Sequence, residues 1–193
     1  MASSDQLLHL IQNTPDVQEL LRASFGFDIE RKQCGDGLRL ASGAPLEAIA
    51  GDFSGGAYFL CTEEGGRRPV VFANSEGEGG LIADDLAGAL EVIIGLEWQD
   101  CLRFSGSGDV KVMQATAQHL ERHLAKDNPE IAEKRERVAA ALALSALPVT
   151  DLVIRLQRAA AKTEPGFVVM TEDGELYDPP FGEYSEPRCG GWR

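Results

Sequence analysis

The sequence predicts an α+β domain, because its β-hairpin signals and its helix signals fall in separate stretches of the chain. Two short apolar runs, AYFLC at residues 57–61 and PVVFA at residues 69–73, flank a charged turn that contains glycine, which is typical of a β-hairpin. A second turn rich in glycine and glutamate follows, and then an apolar helix. The whole unit at residues 45–98 holds almost no groups suited to catalysis, so it indicates a kind of domain and not a reaction.

Two helices are predicted ahead of this unit. Ser4 or Asp5 can cap the first helix. The second begins at Pro15, which is well tolerated in a first helical turn, and ends near Gly26. Residues 28–43 have mixed charge and several glycines, so we expect a connector with one short strand.

The central unit opens with the sequence GDFSGG at residues 51–56, a turn whose glycines can adopt positive φ. Strands are predicted at residues 58–61 and 70–73, and a loop is predicted at residues 74–80. An apolar stripe with helical spacing then predicts a helix that begins near Leu81.

The C-terminal half predicts three helices and a hairpin. Residues 102–104 are compatible with a short strand or an extended link. The helices are predicted at residues 109–124, 131–144 and 150–161, and the hairpin at residues 167–177 turns at an Asp-Gly pair. We expect residues 1–178 to form one globular domain and residues 179–193 to form a loosely ordered acidic tail.

Charge narrows the class of partner. The chain has 193 residues, a net charge of −13 and a pI of about 4.6. A protein that binds nucleic acid needs a basic face for the phosphates, so this composition argues against that role. Two interpretations remain, which are solubility and electrostatic attraction to a basic partner protein.

The cysteines and the N-terminus predict a cytoplasmic protein with reduced thiols. The four cysteines have no CxxC spacing and no paired histidines nearby, which argues against a zinc site. Cys61 and Cys101 lie in apolar segments and are expected to be buried. The start of the chain does not resemble a secretion signal, and no apolar run approaches the ~20 residues that span a membrane.

Two other patterns have ordinary structural explanations. The sequence SGSG at residues 105–108 precedes a helix, but it lacks the lysine of a phosphate-binding loop, so we interpret it as a helix start capped by Asp109. His119 and His123 are one helical turn apart, which is also a spacing of metal ligands. The glutamate between them does not occupy the HExxH position, so a surface pair is the preferred interpretation.

Two acidic segments are the most partner-like features. The first holds Glu76, Glu78, Asp84 and Asp85, at a loop and the predicted start of a helix. These carboxylates are compatible with a solvated helix start, with a partner-binding patch, or with a divalent cation. The second segment, residues 164–186, has seven carboxylates and no lysine or arginine. Its predicted hairpin exposes a strand edge that could dock a basic partner. The candidate residues there are Glu172, Asp173 and Glu175.

With these pieces in place, the central unit resembles the SUKH superfamily, which includes fungal cell-wall regulators of the Smi/Knr type and many bacterial immunity proteins. The resemblance is carried by GDFSGG at residues 51–56, PVVF at residues 69–72 and IADDLAGAL at residues 82–90. About 50 of the 193 residues are covered. Two departures are the alanine at position 89, where the family often has an aromatic residue, and the acidic glycine-rich loop at residues 74–80.

The resemblance implies one mainly antiparallel sheet flanked by helices, and a binding protein in place of an enzyme. Immunity members of the family typically block a toxin, often a nuclease or a deaminase, by direct contact. The leading hypothesis is therefore a cytoplasmic immunity-type protein with no catalytic residue, no cofactor and no metal ligand. The alternatives are a regulatory or scaffold domain of the same fold, and a small metal-dependent hydrolase. The residues that the hydrolase would use are Glu76, Glu78, Asp84, His119 and His123.

Overall fold

The computed structural model describes residues 3–35, 37–63 and 65–181. The predicted acidic tail at residues 179–193 therefore lies outside the described residues, apart from its first three positions. The helices are α1 (Ser4–Gln12), α2 (Pro15–Phe25), α3 (Leu86–Gly95), α4 (Trp98–Arg103), α5 (Val110–Asp127), α6 (Ile131–Leu142), α7 (Val149–Ala160) and α8 (Thr163–Gly166), with a 3₁₀ helix at Lys32–Gly35. The strands are β1 (Arg39–Leu40), β2 (Glu47–Gly51), β3 (Ala57–Leu60), β4 (Val70–Ala73), β5 (Gly79–Ala83) and β6 (Val169–Met170).

The main sheet confirms the predicted antiparallel α+β class. Its strands follow the order β2-β3-β4-β5, and each pairs antiparallel with its neighbour. The register pairs Gly51 with Ala57, Ala57 with Ala73, and Ala73 with Gly79. The loop between β2 and β3 (residues 52–56) and the turn between β4 and β5 (residues 74–78) therefore lie at the same end of the sheet.

Both faces of this sheet are buried, which explains why its strands are continuous apolar runs and do not alternate with polar residues. Every residue of β3 and β4 is buried. Because side chains alternate along a strand, Tyr58 and Phe72 pack into the cluster formed with α1, α2 and α3. Phe59 and Val71 face the opposite cluster, which includes Leu40, Ala159 and Val169.

A second, two-stranded sheet is built from β1 and β6, in addition to the one sheet that the resemblance implied. Arg39 pairs with Met170, and Leu40 pairs with Val169. The predicted hairpin around the Asp-Gly turn is present, because Met170 also forms an antiparallel bridge with Leu176. Short-range signals predicted the hairpin, but they could not show that its first strand pairs with a segment about 130 residues earlier.

Three elements differ from the sequence prediction. β2 was not predicted, and β5 lies where a loop and the start of a helix were expected. α4 replaces the expected strand or link at residues 102–104. β5 begins with two glycines and runs directly into the apolar α3, so periodicity gives no boundary there.

Gly80 shows why β5 begins with glycine. A Cβ at this position would clash with the Thr163 hydroxyl oxygen, at a separation closer than real contacts allow. That hydroxyl accepts a hydrogen bond from the Leu81 backbone at 3.0 Å and so covers the outer edge of β5. In the part of the chain that the structure describes, none of the helices combines the length and the apolar character needed to cross a membrane.

Candidate functional site

The two acidic segments predicted from the sequence meet in the fold. Asp178 forms a parallel bridge with Glu78 beside β5. Its backbone N–H donates to the Gly77 carbonyl at 2.8 Å, and its carbonyl accepts from the Gly79 N–H at 2.9 Å. Residues 100 positions apart are thereby joined, and the end of the second acidic segment at Asp178 lies beside the turn that carries Glu76 and Glu78.

The turn between β4 and β5 holds its acidic side chains outward. The Asn74 side-chain oxygen accepts from the backbone N–H groups of Glu76 and Glu78, each at 2.9 Å. The Asn74 amide donates to the Glu78 carboxylate at 3.0 Å, and Gly77 adopts a φ of 91° that suits glycine. Glu76 and Glu78 are both exposed. The turn is therefore ordered by its own hydrogen bonds while its charge faces solvent.

The hairpin contributes the rest of this surface. Gly174 adopts a φ of 89° at its turn, and the carboxylates before and after it are exposed. Leu176 follows Glu175 along the chain and is 63% exposed. No lysine or arginine occurs at residues 69–102 or 163–181. We call this surface the acidic edge, and its members are Glu76, Glu78, Glu172, Asp173, Glu175 and Asp178.

Asp84 and Asp85 have structural partners instead. Asp84 forms an ion pair with the Lys162 ammonium at 3.0 Å. Asp85 caps α3 by accepting a hydrogen bond from the Gly88 N–H at 2.8 Å. These two predicted candidates are therefore left out of the acidic edge.

The residues of the alternative hydrolase site form no metal-ligand group. His119 and His123 lie on the exposed face of α5 with their ring centroids 4.5 Å apart. Within residues 3–35, 37–63 and 65–181, no three His, Cys, Asp or Glu side chains are grouped to hold a metal ion.

The SGSG segment at residues 105–108 is a helix start capped by Asp109, as the sequence predicted. The Asp109 carboxylate accepts hydrogen bonds from the backbone N–H groups of Lys111 and Val112 in the first turn of α5.

The two cysteines predicted to be buried are buried and free. Burial raises the pKa of each thiol to about 12. A thiol with such a pKa remains protonated at neutral pH, and the protonated form is a poor nucleophile.

A cleft of about 390 Å³ lies at the same end of the main sheet. It is bounded by the C-terminal end of α2, the loop between β2 and β3, the end of α3 and the start of α4. The side chains that matter for its chemistry are Asp52, Phe53, Glu97, Trp98, Asp100 and Arg135. The Ser75 hydroxyl donates to the Ser54 carbonyl at 3.3 Å, so the cleft loop touches the turn that carries Glu76.

Asp52 has a structural role in the cleft wall. It is 2% exposed, and its carboxylate accepts from the backbone N–H groups of Ser54 and Gly56, each at 2.8 Å. The Ser54 hydroxyl and the Gln99 side-chain amide donate to it as well. Burial and the nearby Asp52 charge raise the pKa of Tyr58, so this buried phenol stays neutral. The acidic residue of the GDFSGG motif therefore holds its loop together.

Glu97 and Asp100 are different, because neither carboxylate has a hydrogen bond or an ion pair with any described residue. Burial raises the pKa of Glu97, and the neighbouring Asp100 and Glu121 carboxylates raise it further. Arg135 opposes this effect, yet its guanidinium is already bound to the Glu121 carboxylate and donates to the Ile94 carbonyl at 2.7 Å. The cleft therefore holds two carboxylates that accept no hydrogen bond from a described residue, and the cation that acts on Glu97, Arg135, is shared with Glu121.

Comparison of the chain with protein-family models, with curated proteins and with solved structures returned no match. The resemblance of residues 51–90 to the SUKH superfamily therefore stays a prediction. The surface chemistry has to be tested on this chain itself.

Glu97→Gln is expected to stabilise the protein at neutral pH by up to about 0.5 kcal/mol, since solvent screens a partly exposed group. The raised pKa means that the folded state binds the proton more tightly than the unfolded state. Stability from this group is then present at low pH and is lost as pH rises through the folded pKa. Urea unfolding at pH 4 and pH 7 checks this effect. A Glu97→Gln variant that is less stable than the wild type at pH 7 would contradict it.

Sequence patterns gave no sign of the cleft. Glu97 and Asp100 lie in a segment predicted to continue or leave a helix, and Phe53 was part of a glycine-rich turn. The only trace of the cleft in the sequence is a phenylalanine in a glycine-rich turn, Phe53, and a tryptophan with acidic residues on both sides, which begins 44 residues later at Glu97. Only the packing of α4 against the β2–β3 loop brings these groups together.

Proposed function

We propose that this protein is an intracellular, non-enzymatic binding domain that holds a basic protein partner against its acidic edge. The observation that carries the proposal is the joining of two acidic segments, remote in sequence, by the pairing of Glu78 with Asp178. Neither segment contains a lysine or an arginine. The exposed Arg39 guanidinium donates to the Glu172 backbone carbonyl at 3.5 Å, so the edge is predominantly acidic and has one cation at its hairpin end. A surface that carries mainly one sign of charge attracts a partner of the opposite sign and orients it during encounter.

The acidic edge combines charge with an apolar contact. Leu176 is 63% exposed between Glu175 and Asp178. Interfaces typically place an apolar contact inside a polar rim, and the rim charges then control association rate and specificity. The edge fits a partner that presents lysine or arginine around an apolar patch.

A toxin of the nuclease type would match this chemistry, because sites that bind phosphate are basic. The resemblance to immunity proteins of the SUKH superfamily supports the same partner class. A regulatory or scaffold role would use the same edge with a different basic protein. A toxin gene beside the gene for this protein would favour the immunity role, which co-expression tests directly by rescue of growth.

Charge reversal on the acidic edge is expected to abolish partner capture. Glu76→Lys combined with Glu175→Lys places two positive charges where a basic partner would dock, so affinity should fall at least about tenfold. The measurement is affinity capture from cells of the source organism, followed by titration of the recovered protein.

The matched control is Glu133→Lys combined with Glu136→Lys. Both residues are exposed on α6 and lie outside the acidic edge, and the change in net charge is the same. This control should bind as the wild type does. Equal loss in both variants would show that only net charge matters, and recovery of no basic protein by the wild type would refute the proposal.

A further inference from the structure

The cleft beside the acidic edge has the size and the lining of a small binding pocket. Its volume is about 390 Å³, at the lower end of the range of about 300–1,000 Å³ that ligand pockets occupy. Leu96 and Trp98 provide an apolar floor and are each 5% exposed. The Trp98 ring is held edge-on to Phe72 with the ring centroids 4.8 Å apart. The floor is therefore part of the core and is preformed.

Every charged group in the cleft is already satisfied except two. Asp52 accepts hydrogen bonds from Ser54, Gly56 and Gln99. Arg135 is held by Glu121 and by the Ile94 carbonyl. Within the described parts of the chain, the carboxylates of Glu97, which is exposed, and Asp100 accept no hydrogen bond and form no ion pair, and Arg135, which lowers the pKa of Glu97, is bound to Glu121. Asp100 raises the pKa of Glu97, which places the two negative charges close enough to repel each other.

Phe53 completes the cleft from the solvent side. It is 83% exposed, although it is a large apolar side chain. Its ring lies against the end of α2, where a Cβ on Gly26 would be 3.3 Å away. An exposed aromatic ring beside unpaired carboxylates is the arrangement that attracts an organic cation, because the face of the ring carries negative charge.

We propose that this cleft receives an arginine side chain of the docked partner. A guanidinium is planar, so it can stack on Phe53 while its N–H donors reach Glu97 and Asp100. The methylenes of the side chain would cover the apolar floor at Trp98. An ammonium group has no flat face for the ring and no forked donor for two carboxylates, so lysine fits less well.

The cleft lies next to the acidic edge. The inference therefore rests on the proposed function, since the partner docked on the edge supplies the arginine. The hydrogen bond from Ser75 to Ser54 joins the turn that carries Glu76 to the loop that carries Phe53. A protein seated on the acidic edge is therefore adjacent to the cleft. Electrostatic attraction and steering come from the edge, and the arginine in the cleft gives the interface an anchor of the kind that dominates binding energy.

A capped arginine, N-acetyl-arginine methylamide, tests the cleft without the partner. It is titrated into the full chain and followed by amide chemical shifts. We expect saturable binding with millimolar affinity, as suits a ligand of this size, with shifts centred on Gly26, Phe53 and Trp98. Capped citrulline, which has the same shape without the charge, should show no saturation.

Two variants make the result specific. Glu97→Gln combined with Asp100→Asn should weaken binding of capped arginine at least about tenfold, because it removes both charges and keeps both shapes. The matched control, Glu133→Gln with Glu136→Gln on α6, should bind as the wild type does. Dispersed amide spectra establish that each variant is folded.

Absence of saturation with capped arginine, equal binding of capped citrulline, or unchanged binding by the Glu97→Gln and Asp100→Asn variant would overturn the proposal. These outcomes are distinct from failure of the proposed function. If charge reversal at Glu76 and Glu175 abolishes partner capture while capped arginine does not bind, the acidic edge stands and the arginine pocket falls.

Discussion

Val71→Asp is expected to leave the protein unfolded in physiological buffer. Val71 has no exposed surface and lies on the second strand of the central hairpin, paired with Phe59 on one side and Leu81 on the other. Its side chain belongs to the buried apolar cluster beneath the sheet that also includes Ala159 and Val169. A carboxylate there would be buried without a partner, at a cost of several kcal/mol, which approaches the whole stability of about 5–15 kcal/mol that a domain has.

Far-UV circular dichroism during heating measures this effect. The same substitution on the surface is the control. Val112 is 43% exposed in the first turn of α5, where a carboxylate is favoured, so Val112→Asp should change stability by less than about 0.5 kcal/mol. A Val71→Asp variant that melts cooperatively near the wild-type temperature would refute the assignment of β4 to the centre of the sheet.

The second large effect is expected at an ion pair between α3 and α7. Glu91 is 7% exposed, and its carboxylate accepts from the Arg155 guanidinium at 2.6 Å and from the Ser145 backbone N–H at 2.8 Å. Arg155→Met would leave this buried carboxylate without its counterion. Removal of one partner of a buried pair typically costs about 3–5 kcal/mol, and because Arg155 is half exposed we expect a value near the lower end, about 3 kcal/mol.

A double variant separates charge from packing. Glu91→Gln can still accept the hydrogen bond from Ser145, yet it carries no charge that needs Arg155. The combination of Glu91→Gln with Arg155→Met should therefore recover at least about half of the lost stability. Urea unfolding measures both variants. If Arg155→Met unfolds within about 0.5 kcal/mol of the wild type, the ion pair contributes nothing to the fold.

Local chemistry was sufficient to predict some elements of the fold. The charged, glycine-containing turn between two apolar runs identified β3 and β4, and the Asp-Gly pair identified the C-terminal hairpin. The start of α2 at Pro15 and its end at Gly26, which has a φ of 63°, follow directly from the stereochemistry of those residues.

Other elements depend on contacts between distant residues. β5 is a strand through its antiparallel pairing with β4, and its outer edge is covered by Thr163, a residue far away in sequence for which Gly80 leaves room. Glu97 and Asp100 lie at the start of α4, and the fold alone places Phe53 in the same cleft as these two residues. The periodicity of apolar residues along the chain cannot predict such contacts, because they depend on residues that are distant in sequence.

The acidic segments illustrate both cases. The sequence identified Glu76, Glu78, Glu172, Asp173 and Glu175 as candidates by composition alone. It could not separate them from Asp84 and Asp85, whose charges are used by Lys162 and by the start of α3. It also could not show that the two segments meet at Asp178.

The most direct measurement is titration of the captured partner protein with the wild type and with the Glu76→Lys and Glu175→Lys variant, at about 0.05 M and about 0.5 M salt. Salt shortens the range of electrostatic attraction, so wild-type affinity should fall steeply between the two conditions. The variant should bind weakly at low salt and change little. Wild-type binding that is insensitive to salt, or a variant that binds as tightly as the wild type, would contradict docking through the acidic edge.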